Sequence, residues 1–414
     1  MSTDAQVVGQ NSGPAPEKEE AAGLVQQVMT NFRTGNLGIL PIALGFVAIV
    51  IFFSLTANNF FTANNFDNVI QQMAPTTMLA FGVVFVLLLG EIDLSIGYVA
   101  GMGMLIVASL QDPAGPALPG VVAMVLTVVC CATIGLIQGS IVAFVGVPSF
   151  VVTLAGLLIW QGVILKQLQD RGVITIQDTF INDTSNFFFS TSVGLIIAGV
   201  ISFVYVGGTL AGVAASRRAG IAIRNPLLVG LKMIAVVGVA FGIVVISNRA
   251  NIPHGLPLAG LLVISFLVIW TYVAKRTTFG RHVYAVGGSA EAARRAGINV
   301  PRIRVLVFVI SAAMAGIGGI INAAYVNSVD LNAGGGTILL DAISAAVIGG
   351  TSLFGGRGEV RSAVVGALVI ATISNGLLTA QYPQGTIYIV TGVILLLAVT
   401  LDTVARRLQV RSGR

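Results

Sequence analysis

This sequence has few charged residues. Asp, Glu, Lys and Arg make up 9% of its 414 residues, whereas 56% are hydrophobic and the mean hydropathy is +0.94. A chain with so few charges cannot cover the surface of a soluble globular protein. Its net charge of +6 does not indicate nucleic-acid binding, because the cations are spread over the ends of apolar runs. The composition therefore predicts an all-α, polytopic protein of the lipid bilayer with no nucleic-acid partner.

Cysteine and histidine are almost absent. Cys130 and Cys131 are adjacent in an apolar run, and neighbouring side chains on a helix point about 100° apart, so these two cannot bridge each other. His254 and His282 lie in different loops, and neither has a second set of ligands nearby. The sequence therefore predicts no disulfide framework and no metal site. We also identify no candidate catalytic residues in it.

A nucleotide-binding loop is also missing. The Gly-rich run 349–358 is not followed by Lys and Ser/Thr, and G-x-x-x-x-G-K-[ST] occurs nowhere in the chain. The chain is therefore expected to bind no cofactor of its own and not to hydrolyse ATP by that mechanism. Close helix packing and a tight turn are the roles expected of these glycines.

Apolar runs fill most of residues 36–405, which we predict to be one transmembrane domain. At about 20 residues per crossing they predict ten to twelve helices. The runs are 39–56, 67–90, 94–110, 119–145, 149–167, 192–215, 227–247, 257–274, 304–326, 338–353, 359–380 and 386–403. The run 338–353 reaches only roughly 24 Å, and polar residues at Glu91–Gly97 separate two runs. Short broken or re-entrant helices are predicted at both places.

The distribution of cations predicts the orientation of the chain. The segment 275–304 holds seven Lys/Arg and one acid between two apolar runs, so it is predicted to be a cytoplasmic loop. With an even number of spans both termini are cytoplasmic, residues 1–35 as a polar, disordered tail and residues 406–414 as a basic tail. All but three of the 22 cations then face the cytoplasm, the exceptions being Lys166, Arg171 and Arg249.

A short helix is predicted inside that loop. Ser289 suits an N-cap, Glu291 lies in the first turn, and Gly297 suits the left-handed end of a helix of about two turns. Ala292 and Ala293 would let this helix pack closely on a partner, and at Ala293 a larger side chain would hold the two surfaces apart. The simpler interpretation is that the loop only anchors two membrane helices with basic flanks.

The sequence of this segment contains a distinctive motif. Residues 291–299 read E-A-A-x-x-x-G-I-N, after G-R-x-x-Y-A-V-G-G at 280–288. This resembles the coupling segment of ABC-transporter permeases of the ribose/xylose/galactose family, in which a separate ATPase subunit would dock at Ser289, Glu291, Ala292, Ala293 and Gly297. Further matches to the family are Glu91, Asp93, Ser95 and Gly97, the run 147–154, and Gly349, Gly350, Gly355 and Gly356.

The resemblance implies the membrane-spanning permease of a bacterial ABC importer for a monosaccharide. It also implies that the chain consists of two pseudo-symmetric halves on either side of the coupling loop. An extra pair of spans between Thr191 and Ser247 looks like the D-xylose-type branch. The implied partners are a second copy, a cytoplasmic ATPase subunit that uses ATP and Mg²⁺, and an extracytoplasmic sugar-binding protein at the bacterial plasma membrane. Another small polar cargo, such as a nucleoside, stays open, because specificity in this family rests largely on the binding protein.

Polar and aromatic side chains inside the predicted spans are candidates for the sugar path, because sugars are bound through hydrogen bonds and aromatic faces. These candidates are Gln138, Ser149, Phe150, Thr153, Trp160, Asn322, Tyr325 and Asn375. Interhelical hydrogen bonds or ordinary packing are the alternative for each of them.

Two acids at a span end could suggest a proton relay. Glu91 and Asp93 are instead expected to cap the following helix and to pair with a cation such as Arg357 or Arg361. No acid lies mid-span beside a mid-span base, so a carrier that works without an ATPase has little support in the sequence.

Overall fold

The computed structural model describes residues 40–220, 226–250 and 255–411, so the tail predicted at 1–35 and the last residues of the basic tail lie outside them. The helices within these ranges are α1 (Leu40–Thr56), α2 (Ala63–Leu88), α3 (Ile96–Gln111), α4 (Gly120–Ser140), α5 (Ser149–Leu168), α6 (Thr179–Asn186), α7 (Thr191–Arg218), α8 (Pro226–Ser247), α9 (Leu258–Arg276), α10 (Thr278–Gly288), α11 (Ala290–Arg295), α12 (Val300–Val326), α13 (Ile338–Ile348), α14 (Arg361–Thr379) and α15 (Gln384–Arg411). The strands are β1 (Val173–Thr175), β2 (Phe188–Phe189), β3 (Leu256–Pro257) and β4 (Ser328–Asp330), and a π-helical turn, Ile141–Val145, extends α4.

The predicted all-α membrane fold is confirmed. Of the helices described, eight are long and apolar enough to cross a membrane: α2, α4 with its π-helical turn, α5, α7, α8, α9, α12 and α14. Four shorter apolar stretches lie in α1, α3, α13 and α15. Each of the twelve predicted runs therefore corresponds to a helix, and α15 continues beyond its run as far as Arg411.

Both predicted breaks are present. Helix α2 ends at Leu88 and α3 begins only at Ile96. Helix α13 has 11 residues, so it rises roughly 16 Å, about half the hydrocarbon thickness. The run 338–353 therefore does not form one crossing helix, and the chain reaches α14 through an irregular loop, 349–360. The predicted relation between the two halves of the chain stays a prediction.

Helix α12 lies at the centre of the bundle, packed against α2, α3 and α4. Its contact with α4 is close, because a Cβ on Gly135 would overlap the carbonyl oxygen of Phe308. Most residues of α2 are buried, including Phe81 and Phe85. Because lipid cannot drive apolar helices together, such close packing through small residues is what holds membrane helices to one another.

The two ends of the bundle differ in structure. The end that carries 275–304, here called the basic end, contains α10, α11 and the 349–360 loop. The opposite end carries α6 and two short antiparallel strand pairs, β1 with β4 and β2 with β3. Gln111 ties this layer to α3, since its side-chain oxygen accepts from the N–H of Gln177 at 2.9 Å and its nitrogen donates to the carbonyl of Thr175 at 3.0 Å.

Candidate functional site

The predicted short helix exists. Ser289 caps α11 by accepting from the N–H of Ala292 at 3.2 Å, and Gly297 has a φ of +83°, which a β-branched side chain would strain. Both predictions, the N-cap and the left-handed end, are confirmed. Helix α10 precedes α11 at once and is capped in the same way by Thr277, which accepts from the N–H of Gly280. Two short capped helices thus project at the basic end.

The faces of α11 differ in exposure. Glu291, Ala292, Arg294 and Arg295 are exposed, and Glu291 pairs with both arginines at 3.6 and 3.1 Å. Ala293 is only 4% exposed and packs into the main core of its own chain. The expectation that Ala293 meets a partner surface is therefore corrected. Its small side chain lets α11 lie close against the bundle.

Three backbone segments meet beneath these helices. The N–H of Gly356 donates to the carbonyl of Leu88 at 2.9 Å, which satisfies a carbonyl that the end of α2 would otherwise leave free. Gly287 lies directly over this bond, because a Cβ there would overlap the Leu88 oxygen and lie 2.9 Å from Gly356 N. A Cβ on Gly355 would lie 2.9 Å from Gly90 N. We call Leu88, Gly90, Gly287, Gly355 and Gly356 the glycine junction.

Tyr284 holds the same loop from α10. Its hydroxyl donates to the carbonyl of Gly358 at 2.9 Å. Burial raises the pKa of this phenol above its usual value of 10.0, and the negative charge of Glu359 adds to the shift. The hydroxyl therefore stays protonated and remains a donor at physiological pH.

The turn between α2 and α3 is fastened by buried polar side chains. Asp93 accepts from the N–H and the hydroxyl of Ser95 at 3.0 and 2.7 Å, and from the hydroxyl of Ser311 at 3.0 Å. Asp93 thus organises the start of α3, as expected, and also binds it to α12, but the side chains that donate to its carboxylate are serines and not the expected cation. Gln138 joins this group, because its side-chain oxygen lies 3.0 Å from the Ser95 hydroxyl.

Two more sugar-path candidates lie at this turn. The Ser149 hydroxyl accepts from the N–H of Ile92 at 3.2 Å, and the Thr153 hydroxyl lies 3.3 Å from the carbonyl of Ile92. Phe150 is 53% exposed on the same helix, whereas Asn375 is buried within α14. The structure therefore gathers Gln138, Ser149 and Thr153 around the turn and leaves the other two apart from them.

The motif glycines occupy positions where a side chain would be costly. A Cβ on Gly97 would lie 3.0 Å from the carbonyl oxygen of Gly334, and one on Gly349 would overlap the backbone of Ser362. Gly350, Gly355 and Gly356 have φ values of +105°, +84° and +73°. Close packing and a tight turn, as expected from the sequence, account for these residues.

A cavity of about 100 Å³ lies between α2, α3, α12 and α13. Its polar lining comes from Asn322 and Tyr325, which the sequence singled out, and from Gln72 and Thr76, which it did not. Thr76 directly follows Pro75 and Gln72 lies three residues before it, and a proline inside a helix removes one backbone hydrogen bond. Two polar residues within one turn of a proline, in an apolar run, were the available signal.

Residues 65–399 match the protein family described as branched-chain amino acid transport system / permease component. The chain belongs to this family. The xylose transport system permease protein XylH of Escherichia coli (strain K12) is 34% identical over 382 residues, 91% of this chain and 95% of that protein. The ribose import permease protein RbsC of the same strain is 29% identical over 356 residues, 86% of this chain and 91% of that protein. The D-allose transport system permease protein AlsC of the same strain is 28% identical over 356 residues, 86% of this chain and 88% of that protein. No solved structure matches the chain.

Ion pairs join the segments of the permease at its basic end. Glu91 lies 3.1 Å from Arg304, in the first turns of α12, rather than beside Arg361, which pairs with Glu359. Lys275, at the end of α9, also contacts Glu359 at 3.3 Å. The expected kind of partner for Glu91 is thus present, but the cation, Arg304, is the last residue of the basic segment 275–304.

The described part of the permease has no group of three His, Cys, Asp or Glu residues placed to hold a metal ion. The buried carboxylate of Asp93 is occupied by three donors from Ser95 and Ser311. Its role in this structure is to hold the turn between α2 and α3 against α12.

Proposed function

We propose that the chain is the membrane-spanning permease subunit of a bacterial ABC importer that carries a monosaccharide, a xylose-like pentose or a related sugar. The observation that carries this proposal is the capped helix α11, with an exposed face and a buried base, in a chain whose relatives are named as permeases for xylose, ribose and D-allose. The family match adds that the chain is the permease component of a transport system.

The exposed face of α11 is proposed to dock on a separate ATPase subunit. Glu291 lies in the first turn of α11, and Arg294 and Arg295 lie in its last turn. Each charge is opposite in sign to the end of the helix dipole beside it, which stabilises the helix. Such a short helix, exposed on one face and fixed by Ala293 on the other, suits a groove on a partner. ATP and Mg²⁺ would be used by that subunit.

The basic end is proposed to face the cytoplasm, because Lys275, Arg276, Arg281 and the arginines of α11 lie there. Exposed acids at the opposite end include Asp170, Asp183 and Asp330. That end would receive the sugar from an extracytoplasmic binding protein. Two copies of the chain in the plasma membrane, with both termini cytoplasmic, complete the proposed assembly.

The cavity is proposed to be part of the sugar path. Gln72, Thr76, Asn322 and Tyr325 supply hydrogen-bond donors and acceptors within an otherwise apolar lining. A volume of about 100 Å³ is smaller than the 300 Å³ or more typical of ligand pockets. The structure would therefore represent a closed state that widens when the transporter turns over. Gln138, Ser149 and Thr153 would support the path indirectly through the turn at Ile92.

The test is uptake of labelled xylose, ribose and D-allose by cells that express the chain with its ATPase and binding proteins. An inactive ATPase, with its Walker A lysine replaced by alanine, serves as the matched control. We expect uptake with the active ATPase, a fall to background with the inactive one, and little effect of an uncoupler. Uptake that survives the inactive ATPase and collapses with the uncoupler would establish a carrier instead, and ATP-dependent uptake of a nucleoside but no sugar would change the cargo.

A further inference from the structure

The glycine junction connects α10 and α11, here called the coupling helices, to parts of the chain that are distant from them in sequence. Helix α11 is joined through the backbone to α10 and α9 on one side and to α12 on the other. At the junction, Gly287 of α10 also contacts Leu88 at the end of α2 and Gly356 in the loop between α13 and α14. A displacement of α10 must therefore move both of these segments or break the contact.

Both segments lead to the cavity. Helix α2 runs from Leu88 back to Leu79, Thr76 and Gln72, which line the cavity. Thr76 lies twelve residues from Leu88, roughly 18 Å along one helix. Helix α13 begins at Ile338, another lining residue, and the loop that follows it reaches the junction. Of the four helices around the cavity, α2 thus ends at the junction and α13 is connected to it by the loop 349–360.

Helix α10 is attached to the end of α2 at more than one point. Phe279, in its first turn, packs on Phe85 of α2 with ring centroids 6.3 Å apart, and Phe85 in turn meets Trp270 of α9 at 5.3 Å. Tyr284 holds the 349–360 loop through Gly358. Because the contacts at Gly287 are between backbones, no flexible side chain lies between the moving parts to absorb a displacement.

We propose that the glycine junction is the contact that passes the movement of the coupling helices to α2 and α13, and so opens and closes the cavity. Gly287, Gly355 and Gly356 are positioning residues in this account, because their role comes from the contacts that they make with one another, with Leu88 and with Gly90. The inference rests on the proposed function. It assigns a transmission role to backbone contacts that lie outside the exposed face of α11.

The decisive variant is Gly287→Ala, whose added methyl group would overlap the Leu88 carbonyl and force the junction apart. Gly288→Ala is its matched control, since a Cβ on the next residue of the same helix meets no atom within 4 Å. Tyr284→Phe removes only the hydrogen bond to Gly358. Its control is Tyr272→Phe, on the 63% exposed Tyr272 of α9.

Each variant would be assembled with its ATPase subunit and binding protein in proteoliposomes, and three quantities measured: bound ATPase per permease, ATP turnover, and sugar moved per ATP. For Gly287→Ala we expect normal ATPase binding and turnover but at least tenfold less sugar per ATP, with a threefold to tenfold loss for Tyr284→Phe. Both controls should stay within twofold of the unmodified chain.

An unchanged ratio of sugar to ATP in Gly287→Ala would overturn the inference. If Gly287→Ala does not assemble, the result for Tyr284→Phe decides. A loss of ATPase binding in Tyr284→Phe with an unchanged ratio of sugar to ATP would assign the contact a merely structural role. Absence of ATP-driven sugar transport by the unmodified chain would refute the proposed function itself. Measurement of the unmodified chain beside the variants reveals that outcome separately.

Discussion

At the scale of single residues, the end of α11 depends on one backbone conformation. Gly297 has a φ of +83°, and a Cβ there would meet no atom within 4 Å, so the only cost of a side chain is conformational. Gly297→Val should cost about 1–3 kcal/mol and distort α11. Gly297→Asn should be tolerated far better, because asparagine adopts left-handed conformations readily.

We therefore expect Gly297→Val to insert into the membrane normally but to lose ATPase recruitment or sugar-stimulated ATP turnover, while Gly297→Asn keeps most of both. Co-purification of the ATPase subunit and ATP turnover measure the difference. Unimpaired transport by Gly297→Val would mean that the segment is only a basic loop between two membrane helices.

The cavity makes a second prediction at this scale. Thr76→Val keeps the size of the side chain and removes the hydroxyl that lines the cavity. Loss of one hydrogen bond to the sugar costs roughly 1 kcal/mol, about a fivefold rise in the sugar concentration for half-maximal uptake. Thr209→Val is the control, because its hydroxyl bonds to Tyr205 within α7, away from the cavity. Equal effects of the two changes would place the sugar elsewhere.

At the scale of elements, the pair α7 and α8 is an insertion at the edge of the bundle. The chain leaves at Phe189 and returns directly opposite, at Leu256, in the short β2–β3 ladder. Of the described residues, none from α7 or α8 belongs to the main core, and Ala198 and Val244 form a small cluster of their own with Leu256.

A chain in which residues 190–255 are replaced by two glycines should therefore still fold. The deletion removes Ser247, whose hydroxyl donates to Asp67 on α2, so Asp67→Asn is included to avoid a buried charge without a partner. We expect a monodisperse protein in detergent with a lowered melting temperature. Aggregation of this variant, with the single change Asp67→Asn behaving normally, would show that α7 and α8 are needed for the fold.

Sequence alone could predict the elements, because length and hydropathy decide where a membrane helix forms, and polar residues such as Glu91 and Asp93 mark a break. It could not predict the glycine junction, since no local sequence pattern indicates that Gly287 contacts Leu88 and Gly356, which are distant from it in the chain. The candidate site was predictable only in part. A polar side chain in an apolar run has the same appearance whether it lines a cavity, as Asn322 does, or fastens a turn, as Ser149 does.

At the scale of the whole molecule, the uneven distribution of charge predicts which end of the bundle faces the cytoplasm. The basic end holds the cations of segment 275–304, and the opposite end exposes Asp183 on α6. Moving cationic loops across the membrane is unfavourable, so the basic end should remain inside. Asp183 and Ala296 are both exposed and suit single-cysteine reporters at the two ends.

In a background with Cys130 and Cys131 changed to alanine, Asp183→Cys should react with an impermeant thiol reagent in intact cells, whereas Ala296→Cys should react only after the cells are permeabilised. Labelling of both variants in permeabilised cells is the control, since it shows that each thiol is reachable. Reaction of Ala296→Cys in intact cells would invert the molecule. It would then place α11 where no cytoplasmic ATPase could reach it, so the docking role of Glu291, Arg294 and Arg295 would have to be abandoned together with the orientation.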